Sequence, residues 1–346
     1  MTAMSGGRIL MAWQDLLAKR RSRFWHDKTA IDLLVDFFEP GSWPIVKFFL
    51  LSRFALLGSR ADAILSAGAP VTQPGPRLPR SEPVETRADV VPWLIFQTWK
   101  VRNPLPANYQ YWSRSFAAHN PSHEHIVWDD ADNREFIEAR FPWFLPHYDR
   151  YPREIFRVDL VRMFFLYVFG GLYVDMDTQC LRPVDEALRT GDVILGWMGR
   201  EAGFAHAISN AIMASKPKQL FWLLAIANAI DRAALCRGPA DFIARPEFFT
   251  ACILLRDSYL EYVSHTEEEI RARLERSLPK SVPVNDAVAG KVRVLPAGIW
   301  YPINWNNLWH QIFRRELLRK NILLTQAQAR ALFPAAHLVT YWTHSW

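Results

Sequence analysis

The chain has 346 residues, 50% of them hydrophobic and 22% charged, with a mean hydropathy of −0.07. This composition excludes a disordered chain and allows one large domain, or one domain with an appendage. The net charge of +6 and the pI near 9.3 favour anionic partners, such as nucleotide-sugars or acidic lipid headgroups. No zinc-finger or RNA-recognition signature accompanies the charge, so nucleic acid is not an expected partner.

The first 90 residues differ in character from the rest of the chain. Residues 8–25 predict an amphipathic helix that ends in the basic cluster Lys19–Arg23, and the apolar segment Trp43–Leu57 follows. That segment is too short to cross a bilayer and is interrupted by basic residues. Two interpretations remain open: helices that lie on an anionic membrane surface, or a helical subdomain packed on the rest of the protein. The first would place the protein at the cytoplasmic face of a membrane.

A linker and the cysteines complete the domain organisation. Residues 73–83 are rich in proline and predict a linker, so we expect an N-terminal helical extension at 1–90 and a domain at 91–346. The three cysteines have no metal-site spacing, and the N-terminus shows no secretory signal. Both observations predict a cytoplasmic protein with reduced thiols.

The predicted domain begins with a buried strand at Leu94–Phe96. Gln97, Thr98 and Trp99 follow it, at the position where the first strand of an α/β domain often meets its ligand. Trp99 is a candidate for stacking on a nucleotide base, and an ordinary core aromatic is the alternative. A helix at 107–118 and a strand at 125–128 come next, and Asp129 or Asp130 is favoured as the cap of the following helix.

The segment from Arg157 to Pro183 carries the strongest signal in the chain. An apolar helix runs to Phe169, a pair of glycines ends it, and the short strand Leu172–Val174 leads into Asp175 and Asp177. Two carboxylates one residue apart suit a hard divalent cation that also holds phosphate oxygens. The sequence therefore predicts a cation site at the end of this strand.

Two charged residues interrupt the apolar helix. Asp159 and Arg162 are three residues apart, so they lie on one face. An internal ion pair that closes on itself is one interpretation. A polar cavity is favoured, because burying such a pair without a further role is seldom more stable than apolar packing.

The remaining elements are predicted from shorter patterns. Strands are expected near residues 180–183, 192–197, 292–295 and 337–342, and helices near 205–214, 219–230 and 265–278.

At the motif level the chain resembles the DXD-containing sugar transferases of glycosyltransferase family 32, to which the core of the large clostridial glucosylating toxins is related. The resemblance is carried by Arg-x-Asp-x-x-Arg at 157–162 and by Gly-Gly-x-Tyr-x-Asp-x-Asp at 170–177. Residues 301–305 are similar to the family's Tyr-Pro-x-x-Trp, and residues 340–346 to its His-x-Trp-x-x-Ser-Trp. Two positions depart from the family, since Phe96 and Thr340 stand where it has histidine.

The resemblance implies a fold, a cofactor and a set of site residues. The fold would be α/β, a GT-A-like mixed sheet of Rossmann character with helices on both faces. Mn²⁺ or Mg²⁺ would be bound by Asp177 directly and by Asp175 through water, and Asp175, Asp177 and Arg162 would be catalytic. The donor, a UDP- or GDP-hexose, would contact the residues that follow the first strand and several others: Gln97, Thr98, Trp99, Asp159, Arg162, Tyr173, Asp175, Ser345 and Trp346.

The implied reaction is a retaining hexosyl transfer to a hydroxyl of a glycan or lipid-linked saccharide. With no dedicated nucleophile evident, the hydroxyl would attack from the leaving-group face. The departures leave a second interpretation open, a nucleotide-sugar-binding protein without turnover. The basic, aromatic N-terminus leaves a third, a membrane-surface scaffold. Serine-hydrolase and P-loop functions are disfavoured, because neither motif is present.

Overall fold

The structure, a computed structural model, describes residues 90–101, 105–199, 206–242, 246–305 and 307–343. The predicted extension at 1–90, apart from its last residue, lies outside the described residues, as do Ser345 and Trp346. No helix within the described ranges is long and apolar enough to cross a membrane.

The described part of the chain forms two sheets. The larger has six strands in the order β2-β1-β3-β6-β5-β7, all parallel except β6, and the smaller pairs β4 with β8 in antiparallel register. The strands are β1 (Leu94–Thr98), β2 (Glu124–Trp128), β3 (Gly171–Val174), β4 (Thr178–Cys180), β5 (Val193–Gly196), β6 (Ile212–Ser215), β7 (Val292–Leu295) and β8 (Leu338–Thr340).

Helices connect most of the strands. They are α1 (Ala107–His119), α2 (Asp130–Arg140), α3 (Leu145–Arg150), α4 (Glu154–Phe169), α5 (Asp185–Leu188), α6 (Leu220–Ala234), α7 (Pro239–Phe242), α8 (Pro246–Phe249), α9 (Cys252–Ser264), α10 (Glu267–Ser277), α11 (Ala297–Trp300), α12 (Leu308–Arg319) and α13 (Gln326–Leu332), with a 3₁₀ turn at Val284–Asp286. Asp129 caps α2, as the sequence predicts, by accepting a hydrogen bond from the backbone N of Asp132.

Side chains that alternate along the strands pack helices on both faces of the large sheet. Phe96 and Tyr173 point into a core shared with α4 and α6. Ile95 and Leu172, their neighbours in the sequence, point into a second core with residues of α1, α5 and α11. The predicted α/β class, with a mixed sheet between two layers of helices, is confirmed.

The strand order locates a crevice. β1 lies between β2 and β3, so the chain leaves β1 to one side for β2 and returns to the other side for β3. Ligands of α/β proteins bind where the strand order reverses in this way, outside the carboxyl ends of the strands. Trp99 follows β1 and Asp175 follows β3 at this edge of the sheet.

One sequence-based element type and two boundaries are wrong. Residues 205–214 are predicted to be helical, but β6 begins at Ile212 and pairs with β3 and β5 in the centre of the sheet. A short buried apolar run fits either structure, and only distant strand partners decide between them. The strand predicted at 180–183 ends at Cys180, because its partner β8 extends no further. Gln97 and Thr98 belong to β1 instead of following it.

Candidate active site

Two glycines fix the path of the chain from α4 into β3. Gly170 and Gly171 have φ angles of +67° and +91°, in the left-handed region that favours glycine. A Cβ atom on Gly171 would lie 2.7 Å from the carbonyl oxygen of Leu94, and one on Gly170 would lie 2.7 Å from that of Ser215. Both glycines therefore pack backbone against the strands on either side of β3. This packing sets the position of Asp175, the first residue after the strand.

Arg162 connects the acid of α4 with the acid that follows β3. Its guanidinium lies 3.1 Å from Oδ1 of Asp175 and 3.4 Å from Oδ1 of Asp159. Nη1 donates to the carbonyl oxygen of Asn210 at 3.0 Å, and the guanidinium lies 4.6 Å from the centre of the Tyr173 ring. The side chain of Arg162 is buried, with 1% of its surface exposed. One buried cation therefore fixes two carboxylates.

Asp159 has further protein partners. Its Oδ1 accepts a hydrogen bond from Nδ2 of Asn210 at 2.8 Å, and its Oδ2 accepts one from Oγ1 of Thr250 at 3.0 Å. Burial raises the pKa of Asp159 to about 6, and Arg162 and the two hydrogen bonds oppose that rise. Asp159 and Arg162 share a helix face and also line a cavity, so the structure favours the polar cavity over a self-contained ion pair.

Asp175 lies in a similar environment. The hydroxyl of Tyr173 donates to its Oδ1 at 2.7 Å, and the hydroxyl of Thr98 lies 3.4 Å from that of Tyr173. Burial raises the pKa of Asp175 to about 7; Arg162 opposes the rise, and the charge of Asp177 adds to it. A bound cation would favour the ionised form of the carboxylate.

The segment after β8 brings hydrogen-bond donors to Asp177. The backbone N of Tyr341 donates to the carbonyl oxygen of Asp177 at 3.0 Å, and Trp342 then adopts a φ angle of +53°. After this turn, the backbone N and hydroxyl of Thr343 donate to Oδ2 of Asp177 at 2.6 and 3.0 Å. Burial raises the pKa of Asp177, and the hydrogen bonds from Thr343 oppose that rise.

The other oxygen of Asp177 suits a cation. Oδ1 is buried, and no hydrogen-bond donor among the residues that the structure describes reaches it. Buried polar atoms nearly always have a partner, so this oxygen calls for one. Within the same ranges, no three His, Cys, Asp or Glu side chains group into a metal site. Mg²⁺ often binds to one or two carboxylates and takes its other ligands from water and substrate phosphates. The two acids fit a cation held in that way.

Aromatic rings line the cavity next to the C-terminal segment. Trp342 stacks on Tyr301 with ring centres 5.5 Å apart and meets Trp305 at 5.7 Å. The indole N–H of Trp342 donates to the carbonyl oxygen of Ile303 at 3.1 Å. The two C-terminal segments that carry the family resemblance therefore pack directly on each other.

Arg314, which no sequence pattern singles out, lies under these rings. Its guanidinium lies 4.8 Å from the centre of the Trp305 ring and donates to the carbonyl oxygen of Trp342. Burial lowers the pKa of Arg314 to about 10, and the charge of Asp177 opposes this. The available signal is a basic residue next to Phe313 on the buried face of α12.

The end of β1 lies behind Asp175 and outside the cavity wall. Gln97 is fully buried. Its Oε1 accepts a hydrogen bond from the hydroxyl of Ser113 at 2.8 Å and lies 2.7 Å from Nε2 of His125. Its Nε2 lies 3.4 Å from the carbonyl oxygen of Asp175. In this structure Gln97 and Thr98 support the loop of Asp175, and their contact with a donor remains a prediction.

The two departures from the family pattern have structural partners. Phe96 points into the core and stacks on Phe165 of α4 with ring centres 3.7 Å apart. The hydroxyl of Thr340 lies 3.2 Å from that of Thr178, in the pairing of β4 with β8. Both residues are buried and stabilise elements next to the site.

Trp99 gives a prediction that separates its two interpretations. It is 8% exposed and packs on Tyr109 with ring centres 4.4 Å apart. We expect Trp99→Ala to weaken binding of the nucleoside diphosphate by about 1–3 kcal/mol, the range for a base stacked on an aromatic side chain. Calorimetry with UDP and GDP checks this, with Trp93→Ala, at an exposed position, as the control. Equal affinity in wild type and Trp99→Ala would make Trp99 an ordinary core residue.

The cavity has a volume of about 390 Å³ and extends beyond the acids. Arg153, His206, Glu247 and Cys252 also line it. Nδ1 of His206 lies 3.0 Å from Sγ of Cys252, and burial lowers the pKa of the imidazole and raises that of the thiol. The sequence patterns do not predict this group.

Comparison with known proteins identifies the central segment. A family described as "Glycosyltransferase sugar-binding region containing DXD motif" matches residues 106–194, which include α1, α4, β3 and the acids around them. Residues 106–194 therefore match the DXD-containing sugar-binding region of glycosyltransferases.

Relatives of the DXD-type domain include named mannosyltransferases. The chain is 37% identical to inositol phosphoceramide mannosyltransferase 3 of Schizosaccharomyces pombe over 138 aligned residues. The alignment covers 40% of this chain and 37% of that protein. The chain is 29% identical to mannosyl phosphorylinositol ceramide synthase SUR1 of Saccharomyces cerevisiae, covering 40% and 35%. It is 33% identical to the initiation-specific alpha-1,6-mannosyltransferase of Candida albicans, covering 30% and 29%. The chain thus spans less than two fifths of each of these relatives.

Among solved structures, the chain is similar to the PaToxG glycosyltransferase. The TM-score is 0.36 at 11% identity, and the superposition covers 72% of this chain and 89% of that one.

Proposed function

We propose that this protein is a metal-dependent, retaining glycosyltransferase that moves a hexose from a nucleotide-sugar to a hydroxyl of a glycan or lipid-linked saccharide. The observation that carries the proposal is the arrangement of Asp175 and Asp177 beside buried Arg162, in a cavity at the carboxyl edge of the sheet. The relatives named above support a mannosyl donor and a lipid-linked acceptor. The mixed sheet with helices on both faces is compatible with a GT-A-like fold.

Each acid has a separate proposed role. Asp177 would hold Mn²⁺ or Mg²⁺ through Oδ1 while Thr343 fixes Oδ2, and Asp175 would bind the cation through water or hold the ribose. The cation, when bound, supplies a Lewis acid that neutralises charge on the leaving diphosphate. Arg162 would orient Asp175 and contact the donor near its phosphates. Asp159 and Tyr173 would complete the donor side, and Ser345 and Trp346 would cover the phosphates.

The bond changes need no covalent intermediate on the protein. The oxygen of the acceptor hydroxyl forms a bond to the anomeric carbon, and the bond from that carbon to the diphosphate oxygen breaks. The departing diphosphate takes the hydroxyl proton, and attack from its own side retains the configuration. Asp159 is bound by Arg162, Asn210 and Thr250, which supports an orienting role for it over a nucleophilic one.

A panel of UDP- and GDP-sugars, each measured with and without Mn²⁺, tests the proposal. We expect one donor to raise the unfolding temperature only with the cation, and to release its nucleoside diphosphate slowly without acceptor. Stabilisation without hydrolysis or transfer would instead indicate a nucleotide-sugar-binding protein. If no donor stabilises or turns over, both functions are overturned.

We further propose that residues 1–90 hold the domain at 91–346 on the cytoplasmic face of a membrane. The basic cluster Lys19–Arg23 would bind anionic headgroups, and the apolar segment Trp43–Leu57 would enter the headgroup boundary without crossing it. This position would bring a lipid-linked acceptor to the cavity.

Liposome sedimentation checks the membrane proposal. We expect the full chain to sediment with vesicles that contain anionic lipid, and less so at high salt. Replacing the four basic residues of the cluster (Lys19, Arg20, Arg21 and Arg23) with Gln should release the protein, since each contributes about 1 kcal/mol near an anionic surface. Residues 91–346 alone should stay in solution. Equal sedimentation of the full chain and the shortened one, or of neither, would favour a helical subdomain packed on the core.

A further inference from the structure

We infer that the end of the cavity near the start of α4 is an acceptor subsite, in which Arg153 binds an anionic phosphodiester on a polyhydroxylated ring. The inference rests on the proposed function and names its acceptor class. Three features carry it: the length of the cavity along α4, the side chain of Arg153, which has no partner among the described residues, and the polar wall formed by α8 and the start of α9.

The cavity follows one face of α4. Ile155, Asp159 and Arg162 line it at spacings of four and three residues, and Arg153, at the N-cap position just before the helix, lines it as well. From Arg153 to Arg162 the helix advances by about 13 Å. That length exceeds one hexose ring. A donor sugar beside Asp159 and Arg162 therefore leaves room for a second ring toward Arg153.

Arg153 is exposed at the cavity, and its side chain makes no hydrogen bond or ion pair with any residue that the structure describes. The neighbouring arginines do have partners. Arg150 donates to the carbonyl oxygen of Cys236 at 2.5 Å, and Arg157 donates to that of Tyr151 at 2.9 Å. A guanidinium binds phosphate oxygens through paired N–H groups and stays charged at any physiological pH. Arg153 is therefore available to an anionic group on a ligand.

The adjoining wall suits the hydroxyls of the ring. Glu247, on α8, lines the same cavity, and no ion pair joins it to Arg153. Its carboxylate accepts hydrogen bonds from hydroxyls but repels a phosphodiester, so the anionic group is directed to Arg153. His206 adds an imidazole to this wall. Thr250, which follows α8, donates to Asp159 and so joins the acceptor wall to the donor side.

The test compares myo-inositol with glycerophosphoinositol, which carries the same ring joined through a phosphodiester to glycerol. Both are chosen for the named acceptors of the relatives. In the wild type we expect kcat/KM for glycerophosphoinositol to exceed that for inositol at least about tenfold, as one charge-assisted contact implies. Arg153→Gln should bring this ratio close to one. Arg153→Lys should keep part of it, because lysine keeps the charge and loses the paired donors. Arg276→Gln, the same change at an exposed position on α10, should retain the wild-type ratio.

A third acceptor separates the headgroup from the lipid surface. Inositol phosphoceramide in detergent carries the same headgroup on a lipid, and Arg153→Gln should reduce transfer to it by the same factor as transfer to glycerophosphoinositol. The subsite would be overturned if the wild type used inositol and glycerophosphoinositol equally well, or if Arg153→Gln left their ratio unchanged. It would also be overturned if Arg153→Gln affected transfer to the lipid alone, or if the donor were hydrolysed with transfer to neither acceptor. If the wild type neither binds nor hydrolyses a donor, the proposed function is overturned instead.

Discussion

Asp177→Asn is expected to reduce metal-dependent turnover by more than about 100-fold. Mutation of a residue that only supports a metal ligand costs up to about 100-fold, and Asp177 is proposed to bind the cation itself. The carboxamide keeps the shape, and its oxygen can still accept the two hydrogen bonds from Thr343. What it loses is the charge on the oxygen that has no donor among the described residues. The variant should therefore fold as the wild type does and bind Mn²⁺ poorly. Donor hydrolysis measured against Mn²⁺ concentration checks this.

The control makes the same change at an exposed acid. Asp286, in the 3₁₀ turn before β7, is exposed, and Asp286→Asn should retain both turnover and the Mn²⁺ dependence. A folded Asp177→Asn protein with wild-type Mn²⁺ dependence would remove Asp177 from the proposed cation site. Turnover that is lost together with the fold would instead make the residue structural.

Arg162→Gln is expected to destabilise the protein by about 3–5 kcal/mol at pH 8, the range for removing one partner of a buried ion pair. Arg162 lies between Asp159 and Asp175, so the change leaves one buried and one partly buried carboxylate without their guanidinium partner. Arg162 is the main group that opposes the rise in the pKa of Asp175. Without it, that pKa should rise above its present value of about 7. Asp175 would then be protonated at neutral pH, and binding of a cation would weaken as well.

The sign of the pH dependence identifies the cause. A carboxyl group whose pKa is higher in the folded state than in the unfolded state stabilises fully below the unfolded value, and this stabilisation is lost as the pH rises through the folded value. For the metal-free wild type the loss runs from about pH 4 to about pH 7, and in Arg162→Gln it should continue to higher pH. Urea unfolding should therefore show a larger difference between the two proteins at pH 8 than at pH 5. Equal differences would contradict the electrostatic account, and Arg276→Gln serves as the exposed control.

The sequence predicts the centre of this protein because local rules agree there. An apolar helix, two glycines, a β-branched and aromatic strand and two acids follow one another in the order in which the structure uses them, from α4 to Asp177. Each element is specified by its own residues, and the glycines are required by contacts with adjacent strands. The position of Asp159 and Arg162 at a cavity also follows from a local argument. A buried ion pair in an apolar helix is seldom more stable than apolar packing, so its presence indicates a further role.

What the sequence does not predict depends on distant partners. Asn210 and Thr250 lie 51 and 91 residues from Asp159, and no pattern in the chain connects them. The strand β6 resembles a helix in sequence because its identity comes from pairing with β3 and β5. Arg314 lies on a helix of ordinary amphipathic pattern, and only the packing of α12 under Trp305 brings it near Asp177. Sites assembled from separate segments carry little signal in any one of them.

The pairing of β8 with β4 also sets the order in which the protein matures. Thr343 reaches Asp177 across 166 residues of chain. A ribosome that adds about 5–20 residues per second needs roughly 8–33 s to make that length. Through this interval a nascent chain can pair β1, β2 and β3 while the carboxylate of Asp177 still lacks its Thr343 donors. Contacts so far apart along the chain also form late in folding, because closing a long loop carries a large entropy cost. The carboxylate of Asp177, which the glycines help to position early, thus gains its Thr343 donors late, after β8 has formed.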